Sequence, residues 1–198
     1  MKQDKKQIYS WAFYDWANSA YSTTVMAGFF PIFFEKFYSN PNDVIQSTYQ
    51  LGLANSISSV FIALVSPLLG AIADRGSAKK KLLIIFAFLG SLMTAALWLV
   101  QKGDWQLAVF FYIIATIGFM AGNIFYDSLL PSVAGREKVD FVSALGYSLG
   151  YLGGGLLFLI NVLMYLHPDW FGIPDSSTAI RISFVSVAIW WAIFTVPI

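Results

Sequence analysis

Apolar residues run almost unbroken along this chain in six stretches, at residues 11–34, 48–73, 81–100, 106–129, 142–166 and 180–198. Each is close to the roughly 20 residues that a helix needs to cross a hydrocarbon core about 30 Å thick. The apolar positions are continuous rather than alternating with period two, so the pattern predicts membrane helices and not a β-barrel. Breakers fill the gaps: "SNPND", "RGSAKKK", "QKGD", "PSVAGREKVD" and "HPDWFGIPDSS". The sixth stretch, measured from Ile182, is short for a full crossing and ends at "FTVPI" without a polar flank. That ending is expected of the amino-terminal half of a longer chain. If the chain is instead complete, two copies would have to pair in parallel to enclose a cavity.

Polar residues interrupt two stretches at helical spacing. On the first, Trp11, Asp15, Asn18 and Ser22 recur at i+4, i+3 and i+4, with Tyr21 beside them. On the fourth, Tyr112, Thr116, Met120, Asn123 and Asp127 do the same. A charge at the bilayer centre costs roughly 2.5–3.5 kcal/mol on insertion scales, and such residues usually face a bundle interior or a water-filled cavity. Two readings of each carboxylate stand side by side. Asp15 could sit at the positive end of a helix dipole and Asp127 just inside the boundary; taken with their stripes, both line a shared interior. The tripeptide "FYD" occurs in both stretches but at opposite ends, so it is no aligned repeat. The third and sixth stretches, with "LLIIFAFLGSLM" and "VAIWWAIF", carry no such stripe and are expected to face lipid.

Lysine and arginine set the orientation. Lys2, Lys5, Lys6, Arg75, Lys79, Lys80, Lys81, Arg136 and Lys138 fall in one set of connections, against Lys36, Lys102 and Arg181 in the other. The positive-inside rule then places the first set and both termini in the cytoplasm. Tyr9, Trp11, Trp105 and Trp170 read as interfacial aromatics, and an Asp15-containing run without a cleavage site argues for an uncleaved amino terminus.

Composition sharpens the class. The 198 residues are 58% hydrophobic and 12% charged, more apolar than a soluble core of this size requires. Net charge is +1, so no basic field favours nucleic acid. With no cysteine and one histidine, His167, thiol chemistry and most zinc sites are excluded. There is no HExxH and no Ser-His-Asp set, so an enzyme is the weakest class and no cofactor is expected.

Two glycine patterns add detail. Gly146, Gly150 and Gly154 repeat every fourth residue, with Gly153 and Gly155 adjacent, a flat ridge for static packing or for sliding. Gly52, Asn55, Ser56 and Ser59 form a smaller polar face on the second stretch. In "GAIADRGSAKKK", Gly70 allows close helix approach, while Asp74 and Arg75 supply opposite charges at the helix end.

That connection resembles the hallmark of the major facilitator superfamily of secondary transporters, matched at Gly70, Asp74, Arg75, Gly76 and Lys79 to Lys81, with Ser77 and Ala78 intervening before the basic run. "YDWANSAY", "YDSLLPSVA" and "VSALGYSLGYLGGG" narrow the resemblance to the branch of the fungal vacuolar amino-acid effluxers, which has many bacterial members. The resemblance implies an all-α polytopic membrane protein, one six-helix bundle of a twelve-helix fold, in a bacterial plasma membrane. It implies a second six-helix bundle as partner and a small polar solute moved by alternating access. Asp15 and Asp127 are then the proton-coupling candidates. Asn18, Tyr21, Ser22, Tyr112, Thr116 and Asn123 are the solute-binding candidates, and Asp74 with Arg75 forms a cytoplasmic latch. A second class of reading is a non-transporting membrane scaffold that associates through its glycine ridge.

Overall fold

The computed structural model describes residues 5–74 and 78–198. Among them every regular element is helical: α1 (Lys5–Ala20), α2 (Phe30–Phe33), α3 (Val44–Asp74), α4 (Lys79–Ala96), α5 (Trp105–Ala134), α6 (Val139–Leu166) and α7 (Ser176–Thr195). Five stretches, Val44–Ala73, Lys79–Leu99, Trp105–Ala134, Val139–Leu166 and Ser176–Thr195, are long and apolar enough to cross a membrane. The helices at residues 11–34 and 180–198 of the sequence reading differ most from expectation.

The first is helical from residue 5 to 38 but not uniformly so. After α1 it widens into π-helical turns at Tyr21–Phe29, tightens through α2, and widens again at Phe34–Tyr38. Pro31 has no N–H to return to the preceding turn, so the ladder cannot run regularly through it. Where the turns widen, two hydroxyls bond back to the Ser19 carbonyl: Ser22 Oγ donates to it at 3.0 Å and Thr23 Oγ1 at 2.9 Å.

The last helix is longer than its apolar run. It starts at Ser176, not at 180, because Asp175 caps it, accepting from the Thr178 amide at 2.8 Å and from Thr178 Oγ1 at 3.0 Å. These bonds hold the exposed Asp175 carboxyl below the usual carboxylate range. At 20 residues α7 is therefore a full crossing, which corrects the expectation of a short one. On the cytoplasmic side of the same reading, α5 runs through Pro131 to Ala134 and stops at Gly135, whose φ of 65° ends the helix.

In the packing, α3 lies on α5, α5 on α4, α4 on α7, and α7 on α1 and α6; α6 in turn covers one side of α1. α3 is packed on a single stripe, through Ala54, Ser58, Ile62, Leu69 and Ala73. The sixth stretch does not simply face lipid. Trp191 is fully buried, its ring against Tyr21 (centroids 5.4 Å apart) and Phe119 (6.2 Å), and pressed on Gly90 of α4. Ser91 Oγ ties α4 to α7 by donating to the Ala188 carbonyl at 2.6 Å. Trp11 is likewise a core residue and not an interfacial one, 3% exposed and stacked on Tyr126 at 4.2 Å.

At the opposite end Arg181 donates to the Trp98 carbonyl and lies over the Trp98 ring, while Tyr38 OH donates to the Leu97 carbonyl at 2.8 Å. His167, exposed, stacks on Trp170 at 4.1 Å. Because Trp191 fills the space where α1, α4 and α5 converge, Trp191→Ala is expected to destabilise the bundle by about 3–5 kcal/mol. Unfolding in mixed micelles measures this, and a loss below about 1 kcal/mol would show that the site collapses freely.

Candidate functional site

The glycine ridge of α6 is seated on α1. A methyl group on Gly150 would come within 2.7 Å of Ser19 Oγ and 3.0 Å of Asp15 Cγ; one on Gly154 would come within 2.9 Å of the Ser19 carbonyl and 3.0 Å of Thr23 Oγ1. Gly146 faces Trp11 and Tyr126 in the same way, and Gly153 faces Trp16. Gly155, by contrast, has open space beside it. The face of α1 that meets α6 is thus Trp11, Asp15, Ser19 and Thr23, at steps of four. The stripe read as Trp11, Asp15, Asn18 and Ser22 splits at Asn18, which turns towards α5.

Asp15 sits at the edge of this contact, half-buried, with Ser19 Oγ donating to its Oδ1 at 3.2 Å. Beside it lies an open cavity of about 160 Å³ lined by Asp15, Ser19, Ser22, Thr23, Tyr147, Gly150 and Tyr151. Among the described residues no cationic group acts on the carboxylate, whereas Asp127 lies within electrostatic reach. Asp127 itself is exposed near the end of α5. The two "FYD" copies meet through their middle residues, with the Tyr14 and Tyr126 rings 5.1 Å apart.

The other polar candidates hold helices together. Asn18 Nδ2 donates to Asn123 Oδ1 at 2.6 Å, and Tyr21 OH shares a hydrogen bond with Thr116 Oγ1 at 2.9 Å, both joining the first helix to α5. Tyr112 OH donates to Asn55 Oδ1 of α3 at 2.9 Å, and its ring stacks on Phe30 at 4.1 Å. Interhelical bonds of this kind average about 0.6 kcal/mol in a membrane protein, so their value lies in fixing register. Asn18, Tyr21, Tyr112 and Thr116 are all buried. Of the six solute-binding candidates, Ser22 lines the Asp15 cavity. The residues that sequence reasoning missed are Ser19, Thr23, Tyr147 and Tyr151. Their signal was available: "GYSLGY" sets a tyrosine beside each of Gly146 and Gly150.

Of the proposed cytoplasmic motif, Arg75 and Gly76 lie outside the described residues, and Asp74 ends α3. Among the described residues, nothing beyond its own helix backbone and immediate neighbours comes within 4 Å of where a methyl on Gly70 would stand. Lys79 Nζ donates to the Ser128 carbonyl at 3.0 Å, joining the start of α4 to the end of α5.

Among the described residues, then, the Asp15 carboxylate has no cationic partner and borders an open cavity lined by hydroxyl-bearing side chains. A family profile described as "Vacuole effluxer Atg22 like" matches residues 42–198. The chain belongs to that family. It is 39% identical over its whole length to an uncharacterised MFS-type transporter of Bacillus subtilis, YxiO, covering 46% of that protein. It is 32% identical to an uncharacterised protein of Aquifex aeolicus, over 80% of this chain and 40% of the other, and 22% identical to autophagy-related protein 22 of Vanderwaltozyma polyspora, over 100% and 45%. The chain thus spans about half the length of these relatives. No solved structure matches it. Membership of the Atg22-like family, with the apolar helices above, makes this an integral multi-pass membrane protein whose named relatives include a transporter.

The glycine contacts give a paired expectation. Gly154→Ala pushes the Ser19 backbone away and should destabilise by about 1–3 kcal/mol, whereas Gly155→Ala meets nothing and should be neutral or stabilising by up to about 1 kcal/mol. Thermal unfolding of the two variants side by side distinguishes them, and equal effects would contradict the close α1–α6 contact.

Proposed function

We propose that the protein is a secondary active transporter that moves a small polar solute by alternating access, with Asp15 coupling that movement to protons. One observation carries the reading: in a chain of the Atg22-like family, a carboxylate without a cationic partner among the described residues borders an open cavity lined by hydroxyl-bearing side chains, within a bundle of long apolar helices. Such a group can exchange a proton with whichever side the cavity opens to. Asp127 is the second candidate, exposed on α5 within electrostatic reach of the first.

In this reading residues 5–38 form a sixth crossing, both termini are cytoplasmic by the distribution of lysine and arginine, and the membrane is the bacterial plasma membrane. A second six-helix bundle completes the cavity. The chain's length relative to its relatives supports that partner. Amino acids are the solute class that the effluxer resemblance favours. Asp74, Arg75 and Gly70 would act at the cytoplasmic contact between bundles, where Gly70 has space for a neighbour. The scaffold reading needed the glycine ridge as an association surface, and Gly146, Gly150, Gly153 and Gly154 are occupied by α1.

The test is the full-length protein in proteoliposomes that enclose a pH-sensitive dye, challenged with individual amino acids. Solute-dependent proton movement is expected, and Asp15→Asn should abolish it while leaving the unfolding midpoint within about 2 °C, as for a surface change of roughly 0.5 kcal/mol. Unchanged proton movement in Asp15→Asn would remove Asp15 as the coupling group. Solute movement without any proton movement would remove proton coupling altogether.

A further inference from the structure

The cavity beside Asp15 has a one-sided chemistry. Ser22 Oγ and Thr23 Oγ1 both spend their protons on the Ser19 carbonyl, and Ser19 Oγ spends its own on Asp15. What these three side chains can offer a ligand is therefore oxygen lone pairs, beside the carboxylate's own. The opposite wall is formed by Tyr147 and Tyr151, 65% and 75% exposed, with ring centroids 6.5 Å apart. Their faces carry the negative part of the ring quadrupole. Between them Gly150 adds no side chain, so α6 keeps the cavity open as it closes on α1. Apart from the tyrosine hydroxyls, the polar side-chain groups that line the cavity present lone pairs, and its rings can present their faces. An anionic solute group placed there would meet Asp15 with no compensating cation among the lining residues.

We propose that this cavity binds an organic ammonium group, with Asp15 as counter-ion and the faces of Tyr147 and Tyr151 packed against it. The inference rests on the transporter reading only for its purpose, since binding can be measured without transport. It also supplies a coupling rule. One carboxylate holds either a proton or the ammonium, so each expels the other and the two are exchanged rather than carried together. The titratable groups facing Asp15 are Tyr147 and Tyr151 from α6, Asp127 and Tyr126 from α5, and Tyr14 on its own helix. α7 meets the first helix next to Asp15 in sequence, at Trp16, through Trp190, which does not titrate.

The experiment is isothermal titration of the full-length protein in detergent with choline and with butylammonium, each set against the uncharged isostere in which carbon replaces nitrogen. Near neutral pH each ammonium should bind about tenfold or more tightly than its isostere, and Asp15→Asn should remove that preference. Tyr147→Leu changes an exposed position and so leaves folding intact; it should weaken ammonium binding about three- to fivefold while leaving the isostere unaffected. Acidification should weaken ammonium binding to the native protein and not to Asp15→Asn. Equal binding of ammonium and isostere overturns the proposal, as does undiminished ammonium binding in both variants. Proton-coupled transport without ammonium preference would sink this site and keep the transporter reading. Ammonium preference without transport would sink the transporter reading and keep the site.

Discussion

The contact of α1 with the glycine ridge of α6 is the constraint on which the rest of the bundle depends. Between helices in lipid there is little hydrophobic drive, because lipid tails are as apolar as leucine, so association relies on how closely backbones approach. Gly146, Gly150 and Gly154 give that approach in steps of four, and α1 answers with Trp11, Asp15, Ser19 and Thr23. A side chain at Gly154 would press on the Ser19 backbone, and one at Gly150 on the Asp15 carboxylate. The contact that packs the two helices therefore also borders the cavity beside Asp15.

On its other side α1 is fixed by polar pairs and by a single large ring. Asn18 with Asn123 and Tyr21 with Thr116 hold α5, and Trp191 fills the space behind Tyr21. This divides the polar residues of the first helix by the direction they face. Those turned to α5 are buried and bonded, a framework; those turned to α6 border an open cavity. The π-helical turns at Tyr21–Phe29 carry Ser22 and Thr23, whose hydroxyls donate to the Ser19 carbonyl and also line the cavity, so these bonds set the hydrogen-bonding character of that wall.

The long apolar helices and their order were legible in the sequence, because continuous apolar runs need no tertiary knowledge. The glycine ridge was legible too, though not its occupant: four-residue spacing reveals a flat face and says nothing of what lies on it. The polar stripe of the first helix was read as one face and is two, because i+3 and i+4 steps from Asp15 diverge by more than a quarter turn: Asn18 meets Asn123, as the paired stripes led one to expect, while Asp15 meets α6. Trp11 was misread for a physical reason as well. Tryptophan near a helix end suits an interface, but here its Nε1 finds the Tyr126 carbonyl at 3.0 Å, which makes burial acceptable. The start of α7 was missed because Asp175 caps it from outside the apolar run. Arg75 and Gly76, which carried the family resemblance, lie outside the described residues and contribute nothing to the geometry.

The central claim is that the α6-facing side of α1 borders water and not lipid. The chain contains no cysteine, so single cysteines can be introduced into it without first removing any. In membranes, Ser22→Cys should react with a charged, water-soluble maleimide, because thiolate forms only where water reaches it. Leu92→Cys, at a 63% exposed apolar position on α4, should not. Labelling of Ser22→Cys and protection of Leu92→Cys is the result the account predicts; an inert Ser22→Cys in folded protein would contradict it.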